Sequence, residues 1–156
     1  MEVREMKPLD ARTIKNLATL DPKARLIFQG FAQEAALIAE ELGCEYRGIS
    51  GHRSWEEQDR LFTQRPKVTN AAGGYSNHNF GIAMDFGVFR GRVYLDSANP
   101  ALAEKVHKAV AKIACRHGLE WGGDWPKFRD FPHFEIETGL TMAQKRNVYK
   151  KRGSVL

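Results

Sequence analysis

The sequence predicts a single α+β domain, a small antiparallel sheet flanked by helices. Apolar residues at helical spacing alternate with short strand-like segments, and the links between those segments are hairpins and loops rather than parallel βαβ crossovers. The length, 156 residues with 42% hydrophobic content, suits one core. No repeat or low-complexity tract divides the chain, so residues 1–156 are read as one unit, with an N-terminal segment at 1–20 and a basic helix at 141–152.

The elements follow in order. Asp21 and Pro22 suit an N-cap and first helical residue, and Ile27, Phe28, Phe31, Ala35, Ile38 and Leu42 then recur at helical spacing until Gly43 stops the run. Residues 44–50 read as a short strand that delivers Gly51-His52-Arg53 into a loop. Ser54 and Glu57 have capping-box spacing, which starts a second helix at Trp55 that runs to about Gln64. Pro66, Asn70, Gly73 and Gly74 mark residues 65–77 as a loop. Residues 82–89 and 92–95 are expected strands around an Arg90-Gly91 turn. Asn99-Pro100 opens a third helix, with Leu102, Val106, Val110 and Ile113 on its buried stripe and Gly118 as its stop. Residues 119–121 and 133–136 are further short strands, and Thr141 with Gln144 caps the final helix.

Charge and composition narrow the class. The net charge is +5, and Lys145, Arg146, Lys150, Lys151 and Arg152 fall in a tail without acids; 24 basic residues less these five leave 19 to balance 19 acids. A solvated helix face is the plain reading, and attraction to an anionic wall polymer or lipid is the functional one. Tail charge alone gives no ground for a nucleic-acid partner. No run approaches the ~18 apolar residues of a membrane span, so stable membrane insertion is not expected. The start, Met1-Glu2-Val3-Arg4-Glu5-Met6-Lys7, lacks the basic-then-apolar layout of a secretory signal. Cys44 and Cys115 have no CxxC partner and are expected as reduced core residues.

The chemistry lies in two segments. Ser76-Asn77-His78 leads into Gly81-Ile82-Ala83-Met84-Asp85, and Asp130-Phe131-Pro132-His133-Phe134-Glu135 follows some 50 residues on. Together they supply two imidazoles, a carboxylate and a spare acid, the set one hydrolytic zinc ion needs. Residues seven apart lie about 10 Å apart along a helix, and over ~20 Å apart on a strand. Neither can put His78 and Asp85 on one ion, so the chain must bend between them, and Gly81 is free to allow it.

Further segments widen the pattern. Ser50-Gly51-His52-Arg53-Ser54 with Gln58, the 76–85 and 130–135 segments, and Trp121-Gly122-Gly123-Asp124-Trp125 together resemble the zinc peptidases that include VanY-type D-alanyl-D-alanine carboxypeptidases and L-alanyl-D-glutamate endopeptidases. The resemblance runs from about Ala24 to Arg152 and implies a Hedgehog/DD-peptidase-like fold for a single peptidase domain. It implies zinc on His78, Asp85 and His133, with Asp130 as catalytic base and Arg53 near the substrate carbonyl. Asp rather than Glu at position 130, together with the Trp-Gly-Gly-Asp-Trp segment, is more similar to the endopeptidases, many of them phage endolysins. His52 departs from the pattern, since an aromatic residue is common there.

Two neutral imidazoles and one carboxylate leave a bound zinc about one positive charge, enough to bring the pKa of a water on it towards ~7. Asp130 would take a proton as water attacks a peptide carbonyl, then pass it to the leaving amine. An ordinary Asp near ~3.9 is a weak base, so its pKa must rise or its contact with the water must be short. The expectation is therefore a monomeric zinc endopeptidase that cuts stem peptides between L-alanine and D-glutamate. As a phage or prophage endolysin it would be made in the cytoplasm and act on the wall after membrane permeabilisation. The alternatives are a D-alanyl-D-alanine carboxypeptidase and a non-catalytic zinc- or wall-binding module.

Overall fold

The computed structural model describes residues 5–156. The first four residues, and with them part of the 1–20 segment and of the stretch read for a signal, lie outside it. Helix α1 (Ala11–Leu17) falls in the segment to which the sequence reading gave no element. Asp10 caps it by accepting from the Thr13 amide at 3.0 Å, and Thr13 and Leu17 are its buried contacts. Helix α2 (Pro22–Glu41) starts at the expected Asp21 cap and buries Ala24, Phe28, Phe31, Ala32, Ala35 and Ala39. Strand β1 (Glu45–Ser50) follows, then α3 (Trp55–Thr63), whose first turn is held by Ser54 accepting from the Glu57 amide at 3.1 Å.

Strand β2 (Ala83–Arg90) turns into β3 (Val93–Tyr94), which is shorter than expected because Leu95 already begins a one-turn helix, α4 (Leu95–Ala98). Helix α5 (Pro100–Ala114) ends in a tight 3₁₀ turn and then Gly118, and β4 (Leu119–Trp121), β5 (His133–Ile136) and α6 (Met142–Arg152) complete the chain. The sheet order is β1-β2-β5-β4, with β3 on β2 and every pairing antiparallel. This is the α+β architecture read from the sequence.

The core lies between the sheet and helices α2 and α5. Phe31 of α2 stands edge-on to Phe86 of β2 at 5.5 Å and meets Phe134 of β5 at 4.8 Å, while Tyr46 of β1 stacks on Phe86 at 5.2 Å. Each fully buried aromatic here is worth roughly 1.5–3 kcal/mol. These contacts fix β2 and β5, the two strands that carry site residues. Among the described residues no helix is long and apolar enough to cross a membrane.

Two expectations need correction. Both cysteines are free, but only Cys44 is buried; Cys115 is exposed because it begins the 3₁₀ turn that ends α5. The basic helix is likewise not a uniformly solvated face. Lys145 is only 6% exposed, the Arg146 guanidinium lies 4.0 Å over the Tyr75 ring, and Tyr149 packs between Trp55 and Phe80. Lys151 and Arg152 remain exposed.

Candidate metal centre and active site

His78 sits in a 3₁₀ turn, Asn77–Phe80, that Ser76 caps and Gly81 closes. Gly81 has φ 68°, in the left-handed region, and a Cβ on it would lie 2.7 Å from the Asp21 backbone nitrogen. Both the conformation and the close approach demand glycine. The bend returns the chain into β2, where Asp85 pairs with Ser50 of β1 on one side and His133 of β5 on the other.

Backbone pairing thus brings the three side chains together. Asp85 Oδ1 lies 3.2 Å from His78 Nε2 and 3.1 Å from His133 Nδ1, and one ligand atom from each of the three residues falls within 4.8 Å of the others. Ligands bonded at ~2.0–2.2 Å in a tetrahedron stand about 3.4 Å apart, so this cluster has the dimensions of a zinc site.

The outer nitrogens are also committed. His78 Nδ1 is 2.8 Å from the Gly51 carbonyl oxygen, which can only accept, so Nδ1 carries a proton and Nε2 faces the cluster. His133 Nε2 is 2.8 Å from Glu135 Oε1, which turns Nδ1 inward. With His78 3% and His133 5% exposed, two anchored imidazoles and one carboxylate form a donor set that fits zinc. Burial alone would raise the Asp85 carboxyl, but the charge of His78 and hydrogen bonds with both histidines outweigh it and hold it well below the carboxylate range. Burial would lower His133, yet its bonds to Asp85 and Glu135 push it up to about 10.

Asp130 lies at the rim of this cluster. Its amide donates to the Gly122 carbonyl at 3.0 Å, and its carbonyl accepts from the His133 amide at 3.2 Å. A Cβ on Gly122 would meet the Asp130 carbonyl oxygen at 2.4 Å, which gives the Trp-Gly-Gly-Asp-Trp segment a concrete role: it lets the Asp130 turn close against the 3₁₀ turn after β4. Burial, and after it the Asp85 charge, raise the Asp130 carboxyl above its usual range, the direction a base requires.

Arg53 is tied to the same framework. Its amide donates to the His78 carbonyl at 3.0 Å, and its guanidinium donates to Gln58 Oε1 at 2.8 Å and Ser50 Oγ at 3.4 Å. Gln58 is fully buried and passes its own amide to the Ala71 carbonyl, so it fixes the angle of Arg53. The Trp125 ring lies 5.0 Å from the His133 ring, whereas Trp121 is core and donates to the Phe131 carbonyl at 2.7 Å.

His107 and His117 stay apart from the cluster. His107 bonds Tyr46 and Asp96, and His117 bonds Glu34. Glu135 is the site residue whose partner the sequence did not identify; its signal was its place two residues after His133, on the same face of a strand.

The chain is similar in part to known proteins. Residues 69–136, which span the 3₁₀ turn, β2 and β5, match the family described as D-alanyl-D-alanine carboxypeptidase. This segment is similar to the peptidase M15 family. Over 95 residues, 55% of this chain, the sequence is 41% identical to the peptidoglycan L-alanyl-D-glutamate endopeptidase CwlK of Bacillus subtilis (strain 168), and that alignment spans 57% of the relative's length. Among solved structures, the L-Ala D-Glu endopeptidase ChiX of Serratia marcescens superposes with a TM-score of 0.61 at 24% identity, covering 86% of this chain and 93% of that one. The D,D-pentapeptidase VanY, solved in complex with Zn(II), superposes at 0.53 with 14% identity, over 99% of this chain and 94% of that one. These two likenesses establish the DD-peptidase-like fold.

Proposed function

We propose that this chain is a zinc-dependent peptidoglycan hydrolase that cuts the L-alanyl-D-glutamate bond of stem peptides. The observation that carries the reading is the convergence of His78 Nε2, Asp85 Oδ1 and His133 Nδ1, with Asp130 tied to the His133 amide through its carbonyl. The choice of bond rests on the likeness to CwlK, whose name states it.

Zinc held by His78, Asp85 and His133 would supply a Lewis acid able to polarise a peptide carbonyl and acidify water. The chain's own residues do the rest. The Asp130 carboxylate accepts a proton from the attacking water as the C–O bond forms. It returns that proton to the amide nitrogen as the C–N bond breaks, which leaves a carboxylate and a free amine. Its raised pKa matches this double duty. Arg53, held by Gln58 and Ser50, presents a guanidinium suited to the developing oxyanion or to a substrate carboxylate. Trp125 against His133 forms an apolar flank that limits water.

Digestion of purified muropeptides, with products read by mass spectrometry, tests this. Products cut after L-alanine, abolished by a chelator and restored by zinc, are expected. Loss of a terminal D-alanine alone would move the assignment to a D,D-carboxypeptidase, the activity in the family's description. Zinc binding without any hydrolysis would make the chain a binding module. The same reading has the chain act on the wall only after the membrane is permeabilised, so cells that make the protein should lyse only when a membrane lesion is supplied.

A further inference from the structure

Lysine is rarely buried, because removing an ammonium from water is costly unless its donors are matched. Lys145 is nevertheless 6% exposed, in the middle of a helix whose other basic residues reach solvent or lie on aromatic rings. Its Nζ donates to Asn77 Oδ1 at 2.7 Å. The Asn77 amide nitrogen in turn donates to Glu135 Oε2, and Glu135 Oε1 accepts from His133 Nε2 at 2.8 Å.

The direction of this relay is fixed by chemistry. An ammonium can only donate and a carboxylate can only accept, so the amide between them has one allowed orientation, oxygen to Lys145 and nitrogen to Glu135. The relay also joins the two histidine-bearing segments. Asn77 precedes His78 in the 3₁₀ turn, and Glu135 follows His133 by two residues on the same face of β5. Asn77 is itself only 7% exposed, so removing Lys145 takes away a donor to its oxygen at a largely buried position.

We propose that Lys145 is a positioning residue of the metal centre, acting through Asn77 and Glu135 to hold the His133 ring with Nδ1 towards Asp85. This makes α6 part of the site's frame. It rests on the zinc reading above, and it changes what deletion of the basic tail would test: loss of wall retention in such a protein would report a damaged centre as readily as a lost polyanion contact.

The test is zinc affinity, measured by competition with a chromophoric chelator on full-length protein. Lys145→Met is expected to weaken binding about 10- to 100-fold, the usual cost of losing a group that orients a ligand. The exposed Lys151→Met should bind as wild type does. In a Glu135→Gln background, Lys145→Met should add less than about a further twofold, since contacts in one network are not additive. Asn77→Asp provides a second route should Lys145→Met fail to fold: it keeps an ion pair for Lys145 but loses the donor to Glu135, and should weaken zinc similarly. Wild-type affinity in either folded variant, or fully additive losses in the double variant, would overturn the role of Lys145. A wild-type chain that binds no zinc would overturn both this role and the function on which it rests.

Discussion

Two buried histidine clusters sit on the same sheet, and they differ in what they leave free. At His107, Nδ1 meets the Tyr46 hydroxyl and Nε2 meets Asp96 Oδ1, both at 2.6 Å, while the other Asp96 oxygen accepts from the Val88 amide. Every polar group there has an internal partner. At His78 and His133 only the outer nitrogen is satisfied by the frame, and the inner nitrogens face one carboxylate oxygen. A buried histidine beside an aspartate is thus not in itself a metal signal. The signal is two inward imidazole nitrogens converging on one carboxylate oxygen after the frame has committed the outer ones.

The contrast can be broken from either side. The largest effect is expected from Asp85→Ala or His133→Ala, each of which should take zinc stoichiometry from one to none and hydrolysis to background, as metal analysis and muropeptide digestion would show. Next is Asp130→Asn, which should keep the zinc and lower kcat by a factor of about 100 to 10,000, the span of general-base contributions. His107→Leu should do the converse. It leaves Tyr46 and Asp96 without their shared partner and should cost about 3 kcal/mol in urea unfolding, with zinc stoichiometry unchanged. The smallest expected change, Gly122→Ala, should displace the Asp130 turn and lower kcat about tenfold, with a smaller loss of zinc affinity because the new Cβ also meets the His133 Cβ at 3.1 Å.

Within the centre the two ligands are held by different means. His78 leans on the Gly51 backbone carbonyl, and a Cβ on Gly51 would lie 2.4 Å from Thr19 Oγ1 and 2.6 Å from the Asn16 carbonyl oxygen, so a substitution there displaces that carbonyl; His133 leans on a side-chain carboxylate, which one substitution can delete.

The sequence was most legible where a local rule decides structure. Asp21-Pro22, Asn99-Pro100 and the Thr141–Gln144 box begin helices as their spacing implies, and Gly81 makes the bend that the seven-residue interval required. Helix α1 was not legible, because only Thr13 and Leu17 bury along its seven residues and no apolar stripe marks it. The burial of Lys145 was hidden for a different reason. Its partner Asn77 lies 68 residues away, and Asn77's partner Glu135 lies 58 away, so no periodicity records either bond. The charge pattern of α6 reads as a solvated face because sequence reports residue type and not tertiary partner. For the centre, residue types and the need for a bend were visible; the committed outer nitrogens and the Gly122 contact needed the fold.

The pairing of Asp85 with His133 across β2 and β5 has one more consequence. Along β5, Phe134 and Ile136 enter the core while His133 and Glu135 take the other face. Slippage of this strand by one residue would expose both apolar side chains and turn the histidine and the glutamate away from the site together. Apolar packing and the His-Asp-His cluster thus read the same frame, so the core acts as a proofreader for the centre: a misaligned strand cannot keep one and lose the other.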